Sequence, residues 1–133
     1  MANYHLCARD IMQTDVATIL PELSVQDAAA LMRHQGVRSL VVEKDSEDDA
    51  YGLITYADIV TKVLAQGFDP AEIRVDEIMT KPLIMVNPSL KVEMIARLFA
   101  HHRVGYAPVI DGQRLVGIVS MTDLVVEVIT EPD

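Results

Sequence analysis

The 133-residue chain contains little of several residue types, and each shortage excludes a class of protein. It has one cysteine, no tryptophan, and aromatic residues at only 5% of positions. A single cysteine can form neither an internal disulfide nor a multi-cysteine zinc site, so we expect Cys7 to be a small core residue. Half of the residues are hydrophobic. The core must therefore consist mainly of Val, Ile, Leu, Ala and Met.

Basic residues are also scarce, and long apolar runs are missing. The 11 Lys and Arg residues are outnumbered by 20 Asp and Glu residues, which gives a formal net charge of -9. Nucleic-acid binders generally need a basic surface, so we expect neither DNA nor RNA as a partner. No apolar run approaches the roughly 18 residues that cross a bilayer, and the opening residues do not resemble a signal peptide. We expect a cytoplasmic protein that does not contact a membrane.

The chain repeats itself. Ile11-Met12 recurs as Ile78-Met79, at an offset of 67. The same offset joins Pro21, Leu23, Val25, Ala29, Leu31, His34, Val37 and Val42 to Pro88, Leu90, Val92, Ala96, Leu98, His101, Val104 and Val109. After the next loop the offset falls to 65 and pairs Gly52, Thr55 and Asp58 with Gly117, Ser120 and Asp123. A longer loop at 44–49 in the first copy accounts for the change.

Each copy has the pattern βαββα. The predicted strands are 16–20, 39–43 and 51–54 in the first copy and 83–86, 106–110 and 115–119 in the second. Apolar residues at three- and four-residue spacing predict a helix that begins at Ser24 in the first copy and at Ser89 in the second. Closing helices follow from Ala57 and Met121. Asp69 is expected to cap a short linking helix.

These elements predict an α/β (α+β) fold of two pseudo-symmetric repeats. The first repeat is 1–67, with a core at about 8–66, and the second is 68–133, with a core at about 75–130. One copy alone would leave a sheet face or edge exposed, so we expect the two to pack as one module. The length suits one compact domain. A groove between the copies, with two roughly equivalent sites, is then the expected place for ligands.

The strongest local motif is a glycine, two apolar residues, a hydroxyl residue, any two residues and an aspartate. It occurs at 52–58 and again at 117–123. One interpretation is a helix cap, because many helices begin with Ser or Thr followed three residues later by an acid. The other is a ligand site. In that site, helix N–H groups and the hydroxyl of Thr55 or Ser120 hold a phosphate, while Asp58 or Asp123 accepts both hydroxyls of a ribose. The two interpretations are compatible, and two copies in register favour the ligand site.

Cations that follow the first helix of each copy are further candidates. Arg38 and Arg103 are candidates for phosphate binding, as are His101 and His102, although cations at a helix C-terminus also complement its dipole. We expect no metal site, because adjacent helical histidines point about 100° apart and no third ligand accompanies them. The acidic stretch 43–49 is either a solvated hairpin tip or a contact for nucleotide-bound Mg²⁺. With no nucleophile beside a base and no Walker motif, we expect no enzyme activity.

The chain resembles the CBS domains, a family named after cystathionine β-synthase whose tandem pairs form Bateman modules. The resemblance is carried by residues 10–12 and 76–79, the strand at 107–110, and the two Gly-to-Asp motifs. It implies that Asp58 and Asp123 hold ribose and that Thr55 and Ser120 contact phosphate. By the same resemblance, the adenine pocket is formed by Val16, Ala17, Thr18, Leu83, Ile84, Met85 and Pro108.

The resemblance implies a regulatory module that binds AMP and requires no cofactor. Many nucleotide-binding members have a basic residue just before the aspartate, whereas this chain has Ala57 and Thr122 there, which favours a monophosphate over a triphosphate. The other candidate ligands are ADP, ATP, S-adenosylmethionine and NAD. Thr18 and Val41 in the first copy correspond to Met85 and Pro108 in the second, so the two pockets should differ in affinity. The alternative is a ligand-free oligomerisation or interaction module.

The resemblance also implies protein partners. Such modules usually associate into a disc-like homodimer, or into a higher homo-oligomer. The chain has no output domain, so its effect is expected to be exerted on a target protein that the sequence does not identify. Segments 47–52 and 74–82 are similar to short CBS proteins of photosynthetic bacteria, some of which carry a C-terminal tail that regulates carbon-fixation enzymes.

Overall fold

The computed structural model describes residues 2–46, 49–81 and 84–130. It has two compact units, which we call the first-repeat unit, Ala17–Lys81, and the second-repeat unit, Met1–Val16 with Pro82–Asp133. The segment that precedes the first strand of each repeat therefore belongs to the unit of the other repeat. Within the described residues, no helix is both long enough and apolar enough to span a membrane.

The first copy has the predicted βαββα order, and a short helix that the sequence pattern did not predict precedes each copy. In chain order they are α1 (Ala8–Ile11), β1 (Thr18–Ile19), α2 (Val25–Gln35), β2 (Ser39–Val42), β3 (Gly52–Thr55), α3 (Tyr56–Ile59), a π-helical segment (Val60–Leu64), α4 (Val75–Ile78), α5 (Val92–His102), β4 (Tyr106–Asp111), β5 (Arg114–Ser120) and α6 (Met121–Ile129). The mixed α and β fold built from two similar repeats is confirmed.

The first-repeat unit is built around a three-stranded sheet in the order β1-β2-β3. β1 pairs with β2 in parallel, and β2 pairs with β3 antiparallel. Ser24 caps α2 as predicted, because its side chain accepts a hydrogen bond from the N–H of Asp27. The helix packs its apolar face on the sheet, and the core of this unit consists of Ile19, Val25, Ala28, Met32, Leu40, Val42, Ile54, Ile59, Val63, Val75 and Ile78.

The second-repeat unit repeats this plan with a shorter sheet. β4 and β5 form an antiparallel pair. Val86 and Val109 form a single parallel bridge. They are equivalent to Ile19 and Val42, which pair between β1 and β2 in the first repeat. The strand predicted at 83–86 is thus reduced to this bridge among its described residues, and Leu83 lies outside them. Cys7 is buried, as predicted for the single cysteine of the chain.

Two predicted helix starts are wrong. α5 begins at Val92 with Lys91 as its N-cap, and Ser89 instead donates its N–H to Asn87 Oδ1 at 2.9 Å. Lys91 occupies the position equivalent to Ser24, so the second copy does not retain the capping serine. Asp69 closes a turn through a 3.0 Å bond from the N–H of Ala71, and the next helix, α4, begins only at Val75.

Short leading segments, residues 8–13 and 75–80, are held in the two units by equivalent backbone bonds. The N–H of Ala8 donates to the carbonyl of Leu90 at 2.9 Å, and the N–H of Val75 donates to that of Leu23 at 2.8 Å. Each segment then pairs with the strand that carries the motif glycine. Gln13 exchanges two backbone hydrogen bonds with Ile118, and Thr80 exchanges two with Leu53.

The methionine of each leading segment lies against the motif glycine. A Cβ placed on Gly52 would lie 2.6 Å from the sulfur of Met79, and a Cβ on Gly117 would lie 2.6 Å from that of Met12. At Gly117 the backbone oxygen of Gln13 would also lie at 2.9 Å. The recurring methionine and the motif glycine therefore contact each other, once in each unit.

Gly117→Ala is expected to destabilise the fold by about 1 to 3 kcal/mol, because an added methyl group must displace a backbone oxygen as well as a side chain. The control is Gly105→Ala, where a Cβ would meet only the side chain of Met121 at 3.7 Å. Urea denaturation of both variants measures the difference. Equal free energies of unfolding for the two variants would contradict the close-contact explanation.

The end of α5 provides a second stability prediction. Arg103 caps this helix in the left-handed region with φ 55°, where the equivalent cap of α2 is Gly36 with φ 68°. A side chain in that region is strained, so Arg103→Gly should stabilise the protein by about 0.5 to 1 kcal/mol. Gly36→Ala should destabilise it by a similar amount through the backbone alone, since no atom lies within 4 Å of its added Cβ. Thermal unfolding measures both changes, and the same sign for both would be inconsistent with this explanation.

Candidate functional site

The first Gly-to-Asp motif forms a closed set of hydrogen bonds at the junction of β3 and α3. Thr55 ends the strand, and both its N–H and its hydroxyl donate to Asp58 Oδ2, at 3.0 Å and 3.1 Å. In return the Thr55 hydroxyl oxygen accepts the N–H of Asp58 at 3.2 Å. The predicted helix cap is confirmed for this motif.

The second motif repeats the same bonds at the junction of β5 and α6. The N–H and hydroxyl of Ser120 donate to Asp123 Oδ2 at 2.8 Å and 3.0 Å. The Ser120 hydroxyl oxygen accepts the N–H of Asp123 at 3.2 Å. One carboxylate oxygen of each aspartate is thus committed to the cap, and the other oxygen, Oδ1, is turned toward different partners.

The Oδ1 atoms of the two aspartates are held by equivalent residues of the leading segments. Asp58 Oδ1 accepts the hydroxyl of Thr80 at 3.3 Å, and Asp123 Oδ1 accepts the side-chain amide of Gln13 at 2.9 Å. Asp58 Oδ1 also lies 3.0 Å from the Lys62 ammonium. Sequence reasoning missed these three partners, although Gln13 and Thr80 are related by the same offset as Met12 and Met79, and Lys62 follows Asp58 by one helical turn.

The two aspartates are shielded from solvent to similar degrees. Asp123 is 7% exposed, and the side chain of Asp58 is 12% exposed. Gln13, Thr80 and Lys62 are themselves on the surface. The side chains that bond to each Oδ1 atom therefore lie between the buried aspartate and solvent.

The residues predicted to contact the base differ between the repeats. In the first repeat the carbonyl of Ala17 accepts the N–H of Val41 at 3.0 Å. The residue equivalent to Val41 is Pro108, which has no N–H, so the carbonyl of Ile84 cannot receive the equivalent bond. Val41, Ile84 and Pro108 are buried, Val16 and Ala17 are partly buried, and Thr18 and Met85 are exposed. Leu83 lies outside the described residues.

The two arginines predicted to contact phosphate occupy different positions relative to the motifs. The carbonyl of Arg38 accepts the N–H of Tyr56 at 3.2 Å, which brings Arg38 beside the start of α3. In the second repeat the equivalent bond, from Met121 at 3.0 Å, goes to Gly105. Arg103 lies two residues earlier, at the end of α5. Both arginine side chains are exposed, and their contact with phosphate stays a prediction.

His101 and His102 lie in the last turn of α5, with their rings perpendicular and their centroids 4.8 Å apart. Across residues 2–46, 49–81 and 84–130, no three His, Cys, Asp or Glu residues are grouped as a metal site would require. Within the acidic loop, Asp49 pairs with Lys81 at 3.2 Å, and residues 47 and 48 lie outside the described part of the chain.

An open groove of about 490 Å³ lies between β1 and α2 in the first-repeat unit. Its lining includes Thr18, the apolar residues Leu20 and Leu23, and the carboxylates of Asp27 and Glu43. Thr18 is the predicted base-pocket residue found there. The groove lies toward the end of β2 that is opposite to Ser39, the partner of Thr55 in the sheet, so it is separate from the first motif.

Comparison with known proteins extends these observations. The CBS domain family model matches residues 8–65 and 75–130. The chain is 36% identical over 118 residues to the CBS domain-containing protein YhcV of Bacillus subtilis, covering 89% of this chain and 82% of that protein. Its fold is similar to a hexameric CBS-CP12 protein from bloom-forming cyanobacteria, with a TM-score of 0.88, 48% identity, and coverage of 92% of this chain and 70% of that chain.

A second solved structure, a conserved protein from Pyrococcus horikoshii, matches with a TM-score of 0.85 and 29% identity over 98% of both chains. The residues matched by the family model contain both glycines, both hydroxyl residues and both aspartates of the motifs. Since the matched segments cover most of the chain and contain both repeats, the chain belongs to the CBS domain family.

Proposed function

We propose that the chain is a regulatory module that binds an adenosine nucleotide of the AMP type and acts on a partner protein. The observation that carries this proposal is that the Gly-to-Asp motif is built twice with the same hydrogen bonds, once in each unit. In both copies the aspartate keeps one oxygen for the cap and presents the other to exposed polar side chains.

The geometry supports ribose binding at Oδ1 of Asp58 and Asp123. A carboxylate oxygen accepts hydrogen bonds from more than one donor, and the two hydroxyls of a ribose are such donors. They would replace the hydroxyl of Thr80 or the amide of Gln13 at the same atom, so the cap formed by Oδ2 would stay intact. Binding of this kind requires no rearrangement of the helix.

The phosphate would lie at the start of the closing helix. Thr55 and Ser120 stand at the N-cap positions, where the helix dipole favours an anion. Most N–H groups of the first turn are already bonded to the cap or to the carbonyls of Arg38 and Gly105, so the dipole and nearby cations would provide most of the attraction. Arg38 adds a cation beside the first motif. Ala57 and Thr122 precede the aspartates, so each motif itself carries little positive charge and suits a monophosphate better than a triphosphate.

The proposed output is a change in affinity for another polypeptide. For an allosteric module, the coupling free energy between ligand and partner is about 1 to 3 kcal/mol. The proposal includes no catalysis by this chain, because the hydroxyls of Thr55 and Ser120 and one carboxylate oxygen of each aspartate are committed to helix caps.

AMP is expected to raise the melting temperature of the parent chain, because a ligand that binds only the folded state stabilises it by about 2.7 kcal/mol at a hundredfold excess over Kd. The double variant Asp58→Ala/Asp123→Ala should lose this response, since both ribose acceptors are removed. Thermal-shift titrations with AMP, ADP, ATP, S-adenosylmethionine and NAD measure the response and rank the ligands.

Asp27→Ala is the matched control for this experiment. It removes a Ser-Asp capping box of the same kind, formed by Ser24 and Asp27, from outside both motifs. This variant should melt earlier than the parent and still respond to AMP. A double variant that responds to AMP like the parent would exclude the ribose assignment, and a parent that responds to none of the five compounds would favour the ligand-free module.

The closing helices support self-association as a second part of the proposal. Tyr56, Val60 and Leu64 recur every four residues and are 50%, 52% and 57% exposed. The offset that relates the two motifs also relates these residues to Met121, Val125 and Ile129, which are 54%, 57% and 56% exposed. Apolar stripes of this kind on soluble proteins mark interaction surfaces. We therefore propose that they form the interface of a homodimer or a larger homo-oligomer.

Val60→Asp/Val125→Asp is expected to shift the protein to monomer, because each change replaces a side chain whose burial contributes about 1.5 to 3 kcal/mol with a charge. Sedimentation equilibrium measures the association constant, which should fall at least tenfold. Met94→Asp is the control, since Met94 is 42% exposed on α5 and belongs to neither stripe. An unchanged association constant in the double variant would show that the stripes are not the interface.

A further inference from the structure

The two motifs differ in the charged residue one helical turn after the aspartate. Lys62 follows Asp58 by four residues and Glu127 follows Asp123 by four, so the two occupy equivalent positions in the repeat. The first pair of side chains is therefore neutral in sum, whereas the second pair carries two negative charges. Side chains four residues apart on a helix are neighbours, so each charge lies close to its aspartate.

Lys62 is held beside the first motif by several acceptors. Its ammonium lies 3.0 Å from Asp58 Oδ1, 2.8 Å from the carbonyl oxygen of Ile78 and 3.4 Å from the hydroxyl oxygen of Thr80. Its side chain is 43% exposed, so the charge also faces solvent and any ligand that approaches Asp58. Glu127 is exposed on α6.

We propose that Lys62 and Glu127 select ligands by charge, so that the first-repeat site takes a phosphorylated nucleoside and the second-repeat site takes a nucleoside without phosphate. This inference rests on the proposed function and specifies which ligand class each copy of the motif accepts. The caps of the two motifs form the same hydrogen bonds in both copies, so they do not account for a difference in ligand charge. Arg38, whose equivalent in the second repeat is Gly105, acts in the same direction as Lys62.

The physical reason is the sign of the interaction between the phosphate and residue 62 or 127. An anionic phosphate meets no net repulsion from the neutralised Asp58–Lys62 pair, whereas the two negative charges of Asp123 and Glu127 repel it. Interactions between partly exposed charges at this spacing are measurable in water and weaken as salt screens them. A neutral nucleoside lacks this term in both sites. The difference between AMP and adenosine therefore measures the summed effect of the charges around each site, and charge reversal isolates the effect of residues 62 and 127.

Two single-site proteins separate the copies. Asp123→Ala leaves the first site, and Asp58→Ala leaves the second. Isothermal titration at low salt should give Asp123→Ala a preference for AMP over adenosine of about tenfold. Asp58→Ala should bind adenosine at least as tightly as AMP. Raising the salt concentration should reduce the AMP preference of the first site.

Charge reversal then tests the two residues themselves. Lys62→Glu in the Asp123→Ala protein should reduce the ratio of AMP affinity to adenosine affinity. The ratio removes any effect that loss of the Lys62 contacts has on both ligands alike. Glu127→Lys in the Asp58→Ala protein should create an AMP preference. Arg97→Glu is the control for Lys62→Glu, because Arg97 pairs with Glu93 on α5, outside both motifs, and its reversal changes the net charge by the same amount. Retained adenosine binding shows that each variant is folded.

The outcomes separate this inference from the proposed function. If the two single-site proteins have the same ratio of AMP to adenosine affinity, or if charge reversal leaves both ratios unchanged, charge selection is overturned and nucleotide binding stands. If the parent binds neither AMP nor adenosine, the proposed function and the inference both fail. Lys62→Gln provides a milder variant, which should remove about half of the effect of Lys62→Glu.

Discussion

The pairing of each leading segment with the strand that carries a motif glycine is the contact on which both units depend. A methionine sulfur fills the space where a Cβ of Gly52 or Gly117 would lie, at 2.6 Å in both units, so only a glycine permits the approach. The same pairing brings the side chain that follows the methionine, Thr80 or Gln13, to Oδ1 of the motif aspartate. The site is thus completed by long-range packing, and its composition depends on which residue follows the methionine.

The sequence predicted the repeat, the fold class, the βαββα order of the first copy and the helix caps of both Gly-to-Asp motifs, because these follow from patterns within a few residues or from self-similarity at fixed offsets. It did not predict the short helices α1 and α4. It did not predict Gln13, Thr80 and Lys62 as partners of the aspartates. Two of them lie in segments whose attachment depends on how the chain folds back, which local patterns do not encode. The starts assigned to Ser89 and Asp69 failed for a local reason, since an Asn or Asp side chain nearby satisfies the backbone in a turn.

The proposed function places two demands on each aspartate, and the carboxylate meets them with different atoms. Oδ2 closes the cap, so the helix start stays ordered whether or not a ligand is present. A ribose hydroxyl at Oδ1 replaces one side-chain bond with another, and a typical hydrogen bond contributes only about 0.5 to 1.5 kcal/mol net. The exchange itself contributes little to affinity, whereas removal of the aspartate would leave the ribose hydroxyls without this acceptor, which costs about 1 to 3 kcal/mol.

A bound ligand would influence the rest of the chain only through the contacts that it changes. Release of Thr80 or Gln13 frees a side chain but leaves the backbone hydrogen bonds of the leading segment in place. This exchange alone would therefore change the position of the leading segment very little. Lys62 provides a stronger connection in the first-repeat unit, because its ammonium bonds the carbonyl of Ile78, the last residue of α4, as well as Asp58. A cation at a helix C-terminus stabilises that end. In the proposed function, a phosphate that attracts Lys62 would therefore act on α4, whereas the carboxylate of Glu127 cannot donate the equivalent bond.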